Sequence, residues 1–117
     1  MTKDPAIFLN HILESISNIE EFSKDLSKEQ LLKDKKTQSA IIRQIEIIGE
    51  AVKNLPKSFT SKNPQVEWAS IARTRDKLIH HYFGVNLETI WDIIWNELPK
   101  LRKDIQEIIE KDKENKQ

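Results

Sequence analysis

At 117 residues, with 19 basic and 19 acidic side chains, the chain is electrically balanced, and its size is that of one domain. No global field draws it to nucleic acid or to an anionic membrane, so any binding of RNA or phosphate has to be local. It contains no cysteine, which removes disulfides, thiolate nucleophiles and cysteine-ligated zinc or iron–sulfur centres. With two glycines, four prolines and about a third of its residues charged, the composition favours long amphipathic helices over strands and tight hairpins, and the expected class is all-α. Nothing reads as a signal peptide or a membrane span, so the expectation is a cytoplasmic protein with no membrane association.

The first predicted helix runs from Pro5 to about Leu26. Its apolar positions are Phe8, Leu9, Ile12, Leu13, Ile16, Ile19, Phe22 and Leu26, and Asp4-Pro5 offers a cap and a first-turn proline. Ser27 can cap a short turn through Leu31-Leu32, and Lys33-Asp34-Lys35-Lys36 reads as a solvated connection. A second long helix, from about Lys36 to Leu55, carries the stripe Ile41, Ile45, Ile48, Val52, Leu55 and stops at Pro56. Gly49 inside it costs about 1 kcal/mol relative to alanine, which predicts close approach of another helix or of a ligand. Lys57 to Pro64 is the longest predicted loop.

A third long helix starts near Val66 with apolar positions at Trp68, Ile71, Ala72, Leu78, Ile79 and Tyr82, and Gly84 is placed to end it. Asn86 caps a fourth, in which Leu87, Ile90, Trp91, Ile94, Leu98, Leu101, Ile105 and Ile108 recur at steps of three and four. Pro99 predicts a kink rather than a stop, because the apolar register continues past it. Trp95 lies off that seam, facing either the first helix or a subunit interface. The predicted architecture is an up-and-down bundle of four long helices with a short one at Ser27, a single domain over 1–110 and a frayed charged tail over 111–117.

The third helix holds the candidate site. Arg75 falls on its apolar stripe, where a permanent charge requires a partner, a wet cleft or an anionic ligand, and Glu46 and Glu50 are candidate partners. Asp76 and His80 are i, i+4 neighbours, so the carboxylate can orient the imidazole and both it and the helix C-terminus favour imidazolium. His80 is thereby a candidate general acid or base. Tyr82 shares a face with Arg75, which places both at one lip of a cleft, whereas a tyrosine taken alone is most often a core aromatic with its hydroxyl at the surface. Arg75 and His80 lie about 140° apart on an ideal helix, a poor geometry for one helix acting alone. His81 points away from His80, and with His11 the three histidines have no ligand spacing, so no metal or other cofactor is expected.

The run Arg75-x-x-x-x-His80-x-Tyr82 followed by Phe-Gly-Val resembles the Arg-x4-His-x-Tyr signature of HEPN-domain proteins of the HepT type. Ile45-Glu46-Ile47-Ile48-Gly49-Glu50-Ala51, Trp68, Ile90-Trp91-Asp92-Ile93-Ile94 and Leu98-Pro99 are similar to that family as well, extending the likeness from about Arg43 to Ile109. The resemblance implies a helical-bundle homodimer whose motif helices face one another across a cleft. It implies a metal-independent ribonuclease acting as the toxin of a two-gene toxin–antitoxin module, with RNA as substrate and an MntA-type nucleotidyltransferase as antitoxin. By position, Arg75 holds the scissile phosphate, His80 is the acid or base, Asp76 supports them, and Tyr82 is the residue that the antitoxin adenylylates. The competing expectation is a non-catalytic helical adaptor that presents substrate to a nucleotidyltransferase.

Overall fold

The computed structural model describes residues 4–80 and 86–115, and every regular element among them is helical. The elements are α1 (Pro5–Ser23), α2 (Lys28–Lys33), α3 (Lys35–Asn54), α4 (Lys57–Lys62), α5 (Trp68–His80), α6 (Leu87–Asp92) and α7 (Leu98–Asn115), with a π-helical turn over Ile93–Glu97. Since the residues flanking that turn keep helical dihedrals, α6, the turn and α7 form one long continuous helix. Four long helices with short additions is the all-α bundle that the periodicity predicts.

Local chemistry explains where the helices begin. Asp4 accepts from the Ala6 amide at 3.0 Å ahead of Pro5, the arrangement in which a proline costs nothing at the first helical position. At α2, Ser27 and Gln30 form a reciprocal capping box, with contacts of 2.8 and 3.1 Å. Asp34 then joins α2 to α3, accepting from the Thr37 amide at 3.0 Å and from its hydroxyl at 2.6 Å. Those bonds, the hydroxyl's foremost, hold the Asp34 carboxyl below its ordinary value. The charged connection therefore contains a cap.

The core is built mainly from isoleucine: Ile12, Ile16 and Ile19 of α1 meet Ile41 and Ile48 of α3, with Ile90 and Ile105 closing the far side, all buried. Each such side chain contributes about 1.5–3 kcal/mol on leaving water. Polar ties run between the same helices. Asn18 of α1 donates to Gln44 of α3 at 3.2 Å, and Arg102 of α7 reaches Glu20 at 2.6 Å and Ser17 at 2.9 Å on α1. Lys28 of α2 pairs with Glu88 of α6.

Several expectations are corrected. The first helix ends at Ser23 rather than Leu26: Lys24 leaves the helix with ψ 130° and Asp25 follows with a left-handed φ of 60°, which turns the chain towards α2. The predicted loop contains α4, whose Phe59 packs on Trp68 with ring centroids 6.1 Å apart. The proline kink takes the form of a widened turn, where the Leu98 amide bonds back to the Ile93 carbonyl. Residues 111–115 continue α7, with Lys113 paired to Glu110 at 3.8 Å. Gly84, expected to end the third helix, lies outside the described residues.

Candidate functional site

The site begins at the crossing of α3 and α5. Gly49 is buried in α3 directly beneath Arg75, so close that a Cβ added there would lie 2.1 Å from Arg75 Cβ and 2.6 Å from its Cγ. This is the close approach that a glycine inside a helix predicts, and it is made by a helix. It leaves the Arg75 side chain 24% exposed, with an aliphatic stem pressed on α3 and a guanidinium at the edge of the crossing. The Arg75 Nε is buried and has no hydrogen-bond partner, an uncommon state for a donor of a charged group.

Asp76 completes the cluster. Its Oδ1 accepts from Arg75 Nη1 at 3.1 Å and from Lys53 Nζ, on α3, at 2.5 Å. The Lys53 ammonium first, and the Arg75 guanidinium second, hold the Asp76 carboxyl below its ordinary value despite some desolvation. Neither expected partner of Arg75 fills that role, for Glu46 pairs with Arg43 at 3.6 Å and the ion pair of Arg75 is to Asp76. The reason is geometric: the residue of α3 facing Arg75 is Gly49, and the charged side chain one turn further along the same face is the lysine at i+4.

His80 is the last residue of α5, so its backbone stands one turn beyond Asp76, while its side chain lies outside the described residues, as does the whole of Tyr82 and His81. The structure thus brings together Arg75, Asp76 and Lys53, and of the sequence-derived set it describes the side chains of two, Arg75 and Asp76. Lys53 was not singled out by the sequence. Its signal was present in the spacing, four residues after the one glycine of that helix.

Elsewhere, Trp68 at the start of α5 is fixed by its Nε1–H bond to the Asn63 carbonyl at 2.9 Å. A groove of about 230 Å³ between α5 and the start of α7 is lined by Ser70, Asn96, Glu97, Lys100 and Asp104, apart from Arg75. Burial, together with Asp92 and Glu67, pushes the Glu97 carboxyl up. Among the described residues no group of three or more His, Asp or Glu is placed to hold a metal ion, and no helix is long and apolar enough to cross a membrane.

A cation held half-buried on one helix by a glycine of another, with a carboxylate beside it and a histidine one turn on, is an arrangement suited to a phosphodiester. The family model described as Ribonuclease HepT-like matches residues 12–108. The chain belongs to the HepT-like ribonuclease family. A Methanocaldococcus jannaschii protein named as an inferred RNase is 57% identical over 107 residues, 92% of this chain and 88% of that protein. Another inferred RNase, of Caldanaerobacter subterraneus subsp. tengcongensis, is 49% identical over 95% of this chain and 99% of its own length. A Thermococcus cleftensis protein named as a ribonuclease HepT by inference is 45% identical over 86% of this chain and 92% of its own. No solved structure matches the chain. As a HepT-like protein the chain is placed among enzymes that cleave RNA, and the all-α bundle is the fold expected of that family.

Proposed function

We propose that this protein is a metal-independent endoribonuclease toxin that cleaves RNA by attack of the 2′-hydroxyl on the adjacent phosphorus. The observation that carries the reading is the Arg75 guanidinium, fixed by Gly49 and bonded through one nitrogen to Asp76, with its Nε buried and unpartnered. A guanidinium so placed retains donors for the two non-bridging oxygens of a phosphodiester, in the forked geometry that arginine offers to phosphate. In the reaction the 2′-oxygen forms a bond to phosphorus, the bond from phosphorus to the 5′-oxygen breaks, and the products are a 2′,3′-cyclic phosphate and a 5′-hydroxyl. The 2′-hydroxyl proton passes to a base and the leaving 5′-oxygen takes one from an acid. His80, in its two protonation states, serves that exchange, and Arg75 stabilises the crowded anionic phosphorus.

Two copies of α5 facing each other across a homodimer cleft supply groups that one helix cannot bring together, which answers the angular separation of Arg75 and His80. The antitoxin is a nucleotidyltransferase that transfers an adenylyl group to Tyr82, setting a negative phosphodiester and a bulky nucleoside where substrate phosphate belongs. The experiment is cleavage of total cellular RNA in excess EDTA by wild type, Arg75→Ala and His80→Ala. Wild type alone is expected to cut, leaving 2′,3′-cyclic phosphate ends. Equal cleavage by wild type and His80→Ala would remove the assignment of the acid and base. No cleavage by wild type unmodified at Tyr82, as judged by intact mass, would favour a non-catalytic adaptor of the nucleotidyltransferase.

A further inference from the structure

A carboxylate within reach of an arginine can close on it as a two-pronged pair, the strongest arrangement open to both, although Arg75 and Asp76, adjacent on α5, point about 100° apart and meet only through the long arginine side chain. That closure is absent. Asp76 touches the guanidinium through Oδ1 and Nη1 alone, at 3.1 Å, and the same oxygen is held more closely, at 2.5 Å, by Lys53 from α3. Lys53 stands four residues from Gly49, on the helix face that meets α5, so one face of α3 both seats the stem of Arg75 and engages the anion that competes for its head.

We propose that Lys53 is a positioning residue of this site: by drawing Asp76 towards α3 it keeps the carboxylate from closing on Arg75, and so keeps the guanidinium available to a phosphodiester of RNA. The inference rests on the reading of Arg75 as the phosphate-binding group. Charge supports it. Lys53, Arg75 and Asp76 together carry one net positive charge, the complement of one phosphodiester, whereas Arg75 and Asp76 without Lys53 are neutral. Asp76 also stays ionised well below neutral pH, with Lys53 the first cause, so the competition that Lys53 relieves is present wherever RNA is bound.

The test uses the full chain as wild type, Lys53→Met, Lys53→Arg, the double variant Lys53→Met/Asp76→Asn, and a charge-matched control, Lys53→Met/Glu67→Gln, each checked for helicity and thermal melting. Two readouts are taken: the rate at which phenylglyoxal labels Arg75, located by tandem mass spectrometry with the exposed Arg73 as internal reference, and the affinity for a mixed-sequence 2′-O-methyl oligoribonucleotide, which cannot be cut. Lys53→Met is expected to slow labelling of Arg75 and to weaken oligonucleotide affinity by about tenfold. Removing the Asp76 charge as well should restore both, while the charge-matched control stays weak and Lys53→Arg stays near wild type. The proposal is overturned if Lys53→Met leaves Arg75 labelling unchanged, or if the control recovers as well as the double variant. Labelling needs no RNA, so a wild type that cleaves none overturns the ribonuclease reading separately.

Discussion

Gly49 determines where Arg75 sits, and substituting it separates two opposed effects. Alanine is the better helix former by about 1 kcal/mol, yet a methyl group at 2.1 Å from Arg75 Cβ cannot be accommodated without moving α5 away from α3. Overpacking of that kind costs about 1–3 kcal/mol, so Gly49→Ala is expected to lower the urea midpoint and, by displacing Arg75, to reduce RNA cleavage further than the stability loss accounts for. Asp76 gives an expectation in pH. Its folded carboxyl titrates below the ordinary 3.8, so its ion pairs stabilise the fold above the unfolded pKa and lose that effect as pH falls through the folded one. Asp76→Asn should therefore flatten acid unfolding, as measured by circular dichroism against pH. Arg75 was legible in the sequence because a charge on an apolar stripe interrupts a pattern. Lys53 was not, since an exposed lysine carries no periodic signal and its partner lies 23 residues away on another helix.

Among the elements, the long helices were readable because each repeats its apolar positions over several turns, so that isolated polar residues do not hide the period. The six-residue α4 offers one apolar side chain, Phe59, and is held by its contact with Trp68, a tertiary fact that no local window contains. The π-helical turn was half visible. Pro99 withholds the amide that would bond to the Trp95 carbonyl, and the steps Ile90 to Ile94 to Leu98, four and four, overrun the 3.6-residue repeat, so a wider turn keeps all three buried. Glu97 in that turn is pushed above its ordinary 4.5 by burial, Asp92 and Glu67. A raised folded value means that stability is full below the unfolded pKa and is lost as pH rises through the folded one. Glu97→Gln is expected to stabilise the fold at neutral pH, by about 0.5 kcal/mol or less given the exposure of the group, with the gain vanishing in acid when urea midpoints are compared.

For the molecule as a whole, zero net charge places the burden of RNA binding on one region. Between Lys53 and Lys77 there are six basic residues and two acidic ones. Single-stranded nucleic acid contributes about −0.7 to the slope of log K against log salt for each phosphate neutralised, so even full use of those six residues gives a slope no steeper than about −4 per protomer engaged; a titration of oligonucleotide affinity against salt checks this. The proposed homodimer is tested by light scattering on a sizing column, and a monomer at micromolar concentration would remove the shared cleft. Trp95, 47% exposed and 5.5 Å from the Trp91 ring, is the aromatic a partner would cover. The seat of Arg75 also orders events in time. α5 has 13 residues, a length at which a lone helix is marginal in water, so it holds its shape against α3 rather than unaided. Synthesis from the ribosome delivers Gly49 and Lys53 before Arg75, so α3 is present when α5 emerges. A fragment ending within α5 can thus carry Lys53, Arg75 and Asp76 in its covalent sequence while lacking the packed crossing that fixes them, so the cluster belongs to the folded pair of helices rather than to the motif alone.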